Sequence, residues 1–250
     1  MHHAAELGLS IRMVLAAFIT FAGPFLDLHL ARKMRETRAS SFRLRFYRYV
    51  TAFLWAIGVV CFVLIGGHGV LHLPAVVLAN PGVLGDSVLG NFAVRLVLAV
   101  VAAGFFGILF WPGVVCLFRE RMRPAYTKAL AKNSISFMLP IGRLERRWWV
   151  AVSLAAGICE EIIFRGFLMT VARGELRMGL LVALLATSAV FGFNHLYQGG
   201  RAIVMTALVG LMLGVVSILT AGLLLPMLLH AAMDLQVLAM YRPEGEDAAQ

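Results

Sequence analysis

Trp148–Val171 reads WWVAVSLAAGICEEIIFRGFLMTV, an apolar run interrupted in its middle by Glu160, Glu161 and Arg165. A helix needs about 20 mostly apolar residues to cross the hydrocarbon core of a bilayer, and this run has that length. Ionisable groups there are costly, about 2.5–3.5 kcal/mol for an Asp, Lys or Arg at a helix centre even on lenient insertion scales. A chain keeps them where they face a polar cavity. Glu161 and Arg165 are four residues apart, share a helix face and can pair. Glu160 is turned about 100° from Glu161, which leaves it free for a different task.

The rest of the sequence repeats this pattern. The 250 residues are 61% hydrophobic and 14% charged, with a mean hydropathy of +0.87. A soluble domain is about 25% charged, so the exterior of this chain faces lipid. Apolar runs at 8–30, 49–73, 91–118, 148–172, 178–196, 202–220 and 222–241 predict about seven transmembrane helices. The fold class is therefore all-α: a polytopic integral membrane protein with a polar intramembrane site in its C-terminal half. Pro24, Pro112 and Pro226 are expected to kink or bend their helices.

The net charge of +9 does not indicate nucleic acid, because the basic residues cluster beside apolar runs. Arg32, Lys33, Arg35, Arg38, Arg43, Arg45 and Arg48 follow the first run. Arg119, Arg121, Arg123, Lys128, Lys132, Arg143, Arg146 and Arg147 follow the third. Segment 74–90 carries only Asp86. By the positive-inside rule the basic segments are cytoplasmic and 74–90 is outside. Segment 119–147 is expected to hold a helix lying on the cytoplasmic surface. No cleavable signal peptide is evident. Three regions follow: an N-terminal transmembrane region at 1–144, a catalytic helical core at 145–241 and a short polar tail at 242–250, its acidic end frayed.

Two further polar clusters sit in apolar runs, Phe191–His195 (FGFNH) and His230–Asp234 (HAAMD). Each alone is as readily structural: a lone membrane histidine is usually a helix–helix hydrogen-bond partner. Together with Glu160 and Glu161 they supply carboxylates and imidazoles from successive helices, which is an acid–base kit for one site. Cys61, Cys116 and Cys159 lie in apolar runs without metal-ligand spacing and read as small buried hydrophobes. Asp27, His29, His68, His72, Arg95, His2 and His3 lie near run ends or the terminus and are expected to have no catalytic part.

Glu160-Glu161-x-x-x-Arg165, Phe191-x-x-x-His195 and His230-x-x-x-Asp234, in this order and in apolar runs, resemble the CPBP family of CAAX-processing and bacteriocin-processing intramembrane endopeptidases, often called Abi. The resemblance covers about 145–240. It implies an endopeptidase in which Glu160 activates a water with the help of His195, His230 and position 234 form the oxyanion site, and Glu161 and Arg165 are supporting. Asp234 stands where the eukaryote-like members have Asn; an ionised Asp cannot donate to an oxyanion, so it must be protonated, orient His230 or bind a metal.

The implied partners are a peptide or prenylated protein substrate and membrane lipid, in a plasma or inner membrane. No cofactor is certain, and zinc stays open. His195, His230 and a carboxylate have the chemistry of a zinc site, but no His-Glu-x-x-His motif is present and the metal-free reading is preferred. The competing class is a non-enzyme, an immunity-type partner or a proton-coupled transporter built on the same cluster.

Overall fold

The computed structural model describes residues 2–37, 39–67, 72–78 and 91–243, with side chains from Leu7 onward. His68, Asp86 and the tail 244–250 lie outside the described residues, as do the side chains of His2 and His3. The described residues form helices and turns without a strand. The protein is an all-α, polytopic integral membrane protein.

The long elements are α1 (His2–Ala17), α2 (Gly23–Thr37), α3 (Ser40–Leu64), α4 (Phe92–Phe118), α5 (Arg123–Ala131), α6 (Arg143–Ala155), α7 (Leu180–Asn194), α8 (Gly200–Thr220) and α9 (Leu224–Leu235), with a last turn, α10 (Val237–Met240). A π-helical turn, Phe18–Ala22, joins α1 to α2, and Pro24 follows it after Gly23. Pro lacks the N–H that an α-helical ladder requires, so a widened turn just before it is the expected accommodation. Asn91 caps α4, its Oδ1 accepting from the backbone N–H of Ala93 at 2.9 Å. Pro226 occupies the first turn of α9, where its missing N–H costs nothing.

Four stretches are long and apolar enough to cross a membrane: Leu7–Thr37, Ser40–Leu64, Phe92–Phe118 and Gly200–Thr220. Leu180–Asn194 and Leu224–Met240 are shorter apolar helices. Side chains such as Phe92, Ile108, Trp111 and Phe118 on α4 are exposed, as expected of a surface whose solvent is lipid.

Two expectations need correction. The second helix spans Ser40–Leu64 rather than 49–73. The basic residues at 32–48 are therefore mostly helical, because Arg and Lys are good helix formers and continue the apolar helices at the interface. The run from Trp148 is also not a plain α-helix. Beyond α6 it continues through three π-helical stretches, Ala156–Glu160, Ile162–Leu168 and Val171–Glu175. Such widened turns are rare and concentrate at functional sites.

This α6–π run is the centre of the bundle. It packs on α3 along one side and on α9 along another, while α7 and α8 form the most extensive helix pair. Gly157 is the closest approach: a Cβ there would stand 2.6 Å from the backbone nitrogen of Ala231 on α9. Small residues allow such crossings in membrane bundles. The main apolar core, with Phe164, Phe167, Leu184, Phe191 and Met227, surrounds the run.

The basic end is stitched together by polar contacts. Arg43 donates to both carboxylate oxygens of Glu145 at 3.0 and 3.1 Å, and Ser40 and the Ile141 N–H donate to the same group. Tyr47 donates to the Met138 carbonyl at 2.6 Å, and Arg35 to the Tyr197 carbonyl at 2.6 Å. Burial alone would raise the Glu145 carboxyl, but the bonds from Arg43, Ile141 and Ser40 and the Arg43 charge outweigh it and hold it below its ordinary range.

Candidate active site

Glu160 closes the first π-helical stretch and Glu161 stands between the first and second. Glu161 is completely buried. Its Oε1 accepts from Arg165 Nη1 at 2.8 Å and lies 2.7 Å from His230 Nδ1. Arg165 is buried as well. Its Nη2 donates to the Gly210 carbonyl on α8 at 2.8 Å, and its guanidinium lies 4.5 Å from the Phe191 ring centroid. Gly210 makes this possible, since a Cβ there would meet Arg165 Nη2 at 3.2 Å and the Phe191 ring at 2.9 Å. One buried ion pair therefore ties the α6–π run to α7, α8 and α9.

His230 is the centre of the arrangement. With Nδ1–H donated to Glu161, Nε2 is the nitrogen left for the cavity, 3.8 Å from Glu160 Oε2 and 4.0 Å from Asp234 Oδ2. Glu160 Oε2 is buried and, among the described residues, has no hydrogen-bond partner. Asp234 keeps a third of its side chain accessible, and its backbone carbonyl accepts from the Trp149 indole N–H at 3.0 Å.

His195 caps the end of α7, where the chain turns into the short 3-10 segment Leu196–Gln198. Its Nδ1 sits 2.8 Å from the Phe191 carbonyl, which makes Nδ1 the protonated nitrogen and leaves Nε2 as an acceptor. The Phe191 ring lies 4.8 Å from the His195 ring and 5.7 Å from the His230 ring. Phe191 is thus the fully buried spacer that sets both imidazoles and carries Arg165 on its face.

Glu160, His195, His230 and Asp234 line one cavity of about 410 Å³. Glu161 and Arg165 stand behind them. Among the described residues Glu160 makes no ion pair with His195; His230 is the imidazole nearest to it. Among the described residues, too, no group of three or more His, Cys, Asp or Glu side chains is arranged to hold a metal ion. Both Nδ1 atoms are engaged, which leaves the Nε2 atoms of His195 and His230 as the nitrogens facing the cavity, the orientation an imidazole has whether it meets a water or a metal.

The cavity also holds a residue set aside on sequence grounds. Asp27 of α2 is among its lining residues, with Tyr197 and Asn194. Only the juxtaposition of α2 with the end of α7 puts it there. Asn194 anchors that contact by donating to the Ile19 carbonyl at 3.3 Å. Cys159 is buried against Gly58, where a Cβ would meet it at 2.9 Å, and it has a packing role.

Residues 143–236 match the family model described as type II CAAX prenyl endopeptidase Rce1-like. This segment belongs to the CPBP family. It contains all seven residues of the three motifs, Glu160, Glu161, Arg165, Phe191, His195, His230 and Asp234. Over 143 residues the chain is also 29% identical to an Escherichia coli protein described as an uncharacterized 24.3 kDa protein; the aligned part is 57% of this chain and 61% of that protein. No solved structure matches. The CPBP segment begins at the N-terminus of α6 and ends at Gln236, the turn after α9. Asp27, contributed by α2, lies outside it.

Proposed function

We propose that the chain is an intramembrane endopeptidase that hydrolyses a peptide bond of a membrane-associated or prenylated substrate with a water activated by Glu160. The observation that carries this reading is the unpartnered Glu160 carboxylate facing a cavity in which two imidazoles are held by their Nδ1 atoms. A carboxylate oxygen without a donor is a ready acceptor for a water proton.

Glu160 and the Nε2 of His195 both accept from the water and aim its oxygen at the scissile carbonyl. Glu160 takes one proton as the C–O bond forms. His230 acts as the imidazolium, with Nδ1–H on Glu161 and Nε2–H directed at the developing oxyanion. The carboxylates of Glu161, Glu160 and Asp234 surround it. A donor aimed at that charge in a water-poor site is commonly the largest single contribution to such a reaction. The tetrahedral intermediate then expels the amine, which takes the proton held by Glu160. Asp234 needs no donor role here; its charge supports His230. Apolar lining from Phe18, Ile19, Phe53 and Leu109 suits a lipid-like or apolar substrate segment. The protein acts in a plasma or inner membrane, with the cavity opening toward the basic, cytoplasmic end.

The test uses the purified chain in nanodiscs with a mixture of lipid-anchored peptides, read by mass spectrometry. Wild type is expected to generate new termini, and Glu160→Gln to retain intact peptides on purification. Equal product from both proteins, or none from wild type, would favour the non-enzymatic class instead.

A further inference from the structure

We propose that Asp27 is a specificity residue: it receives a cationic group, a Lys or Arg side chain, beside the scissile bond of the substrate. This rests on the peptidase reading above and names a substrate class for that site.

Asp27 sits on α2 and lines the cavity that holds Glu160 and Asp234. Among the described residues it has no hydrogen-bond or ion-pair partner. It shares that cavity with Tyr197. A carboxylate so placed is costly without a partner, and the described residues supply none. No Lys or Arg is among the cavity-lining residues. The proposal assigns that place to a cationic group of the substrate.

The other two carboxylates of the cavity already have a part. Glu160 Oε2 faces the cavity buried and without a donor. Glu160 is assigned to the water, and Asp234 is 4.0 Å from His230. Asp27 is the carboxylate that neither the water nor an imidazole uses. The lining of the same cavity includes Phe46, Tyr49 and Phe53. An apolar, partly aromatic lining with one uncommitted carboxylate suits a cation on a long alkyl stem. A free amino terminus has the charge without the stem and would leave that lining uncovered.

The experiment measures binding of two fluorescent twelve-residue apolar peptides, identical except for a central Lys or norleucine, to the full chain in nanodiscs. Wild type is expected to bind the Lys probe about ten-fold more tightly, a modest value for a close, partly desolvated charge pair. Asp27→Asn should abolish most of that difference, and Asp27→Glu should restore it. Equal affinities of wild type for the two probes, or a preference that survives in Asp27→Asn, overturn the proposal. Cleavage of the same probes, compared between wild type and Glu160→Gln, is scored separately. Loss of the Lys preference with cleavage intact condemns only the role of Asp27. A Lys preference without cleavage condemns the peptidase reading and leaves the cation site.

Discussion

At the scale of single residues, Glu161 and Arg165 behave as one unit. Removing the guanidinium leaves a completely buried carboxylate facing His230 alone, and breaking a buried pair in this way costs about 3–5 kcal/mol. Arg165→Ala is expected to lower the melting temperature in detergent and to lower activity with it, because Glu161, which orients the His230 ring, loses the group that fixes it. Unchanged melting with lost activity would make Arg165 a substrate contact instead. Arg165→Lys should not restore either property, since a Lys cannot serve Glu161 and the Gly210 carbonyl with a planar fork. The pair at Arg43 and Glu145 has a pH signature. The folded carboxyl is held below its ordinary range, so its contribution is fully present above that range and is lost as pH falls through the depressed folded value. Glu145→Gln should therefore be less stable than wild type at pH 7. The gap in melting temperature should close as the pH is taken below about 4. A gap that widens in acid would contradict the sign of the shift.

At the scale of elements, the informative feature is the α6–π run. Its length, its central charges and the i, i+4 pair were legible from the spacing of Glu161 and Arg165. The π-helical stretches were not, because a widened turn has no simple residue signature; it is imposed by packing, here where Gly157 meets the backbone of Ala231. Gly157→Ala places a methyl against that backbone and next to His230. Overpacking of this kind costs typically about 1–3 kcal/mol. The expected result is lower thermal stability and a larger proportional loss of activity, measured on the same preparation, because separating α6 from α9 stretches the Glu161–His230 contact. Retained activity at lowered stability would show that the site is not tied to this crossing. The three polar clusters were legible because each is an isolated polar group in an apolar helix. That His230, rather than His195, stands nearest to Glu160 depends on how α9 crosses the run, and no spacing in the sequence encodes that crossing. That Asp27 lines the cavity was not legible for the same reason: near the end of an apolar run it resembles a solvated interfacial charge until α2 is laid against α7.

At the scale of the whole molecule, both basic segments gather at one end of the bundle, where Arg35, Arg43, Arg123 and Arg146 bind carbonyls or Glu145. Arg12, Arg95 and Arg173 serve the other end, where Leu73 is bonded to Ala221. The larger share of Lys and Arg at the first end predicts that it is cytoplasmic. A cysteine introduced at Gly199, beside the end of α7, should be labelled by an impermeant maleimide only in inside-out vesicles; labelling in intact cells would invert the topology. The central claim, however, is that Glu160 is the base of a hydrolytic site whose scaffold is Glu161, Arg165 and His230. The most direct measurement is turnover of a cleaved reporter by Glu160→Ala, at expression and melting temperature matched to wild type. The account predicts a fall of at least about 10²-fold, the usual contribution of a positioned base, in a protein that still inserts and folds. Turnover close to wild type in that folded variant would contradict it.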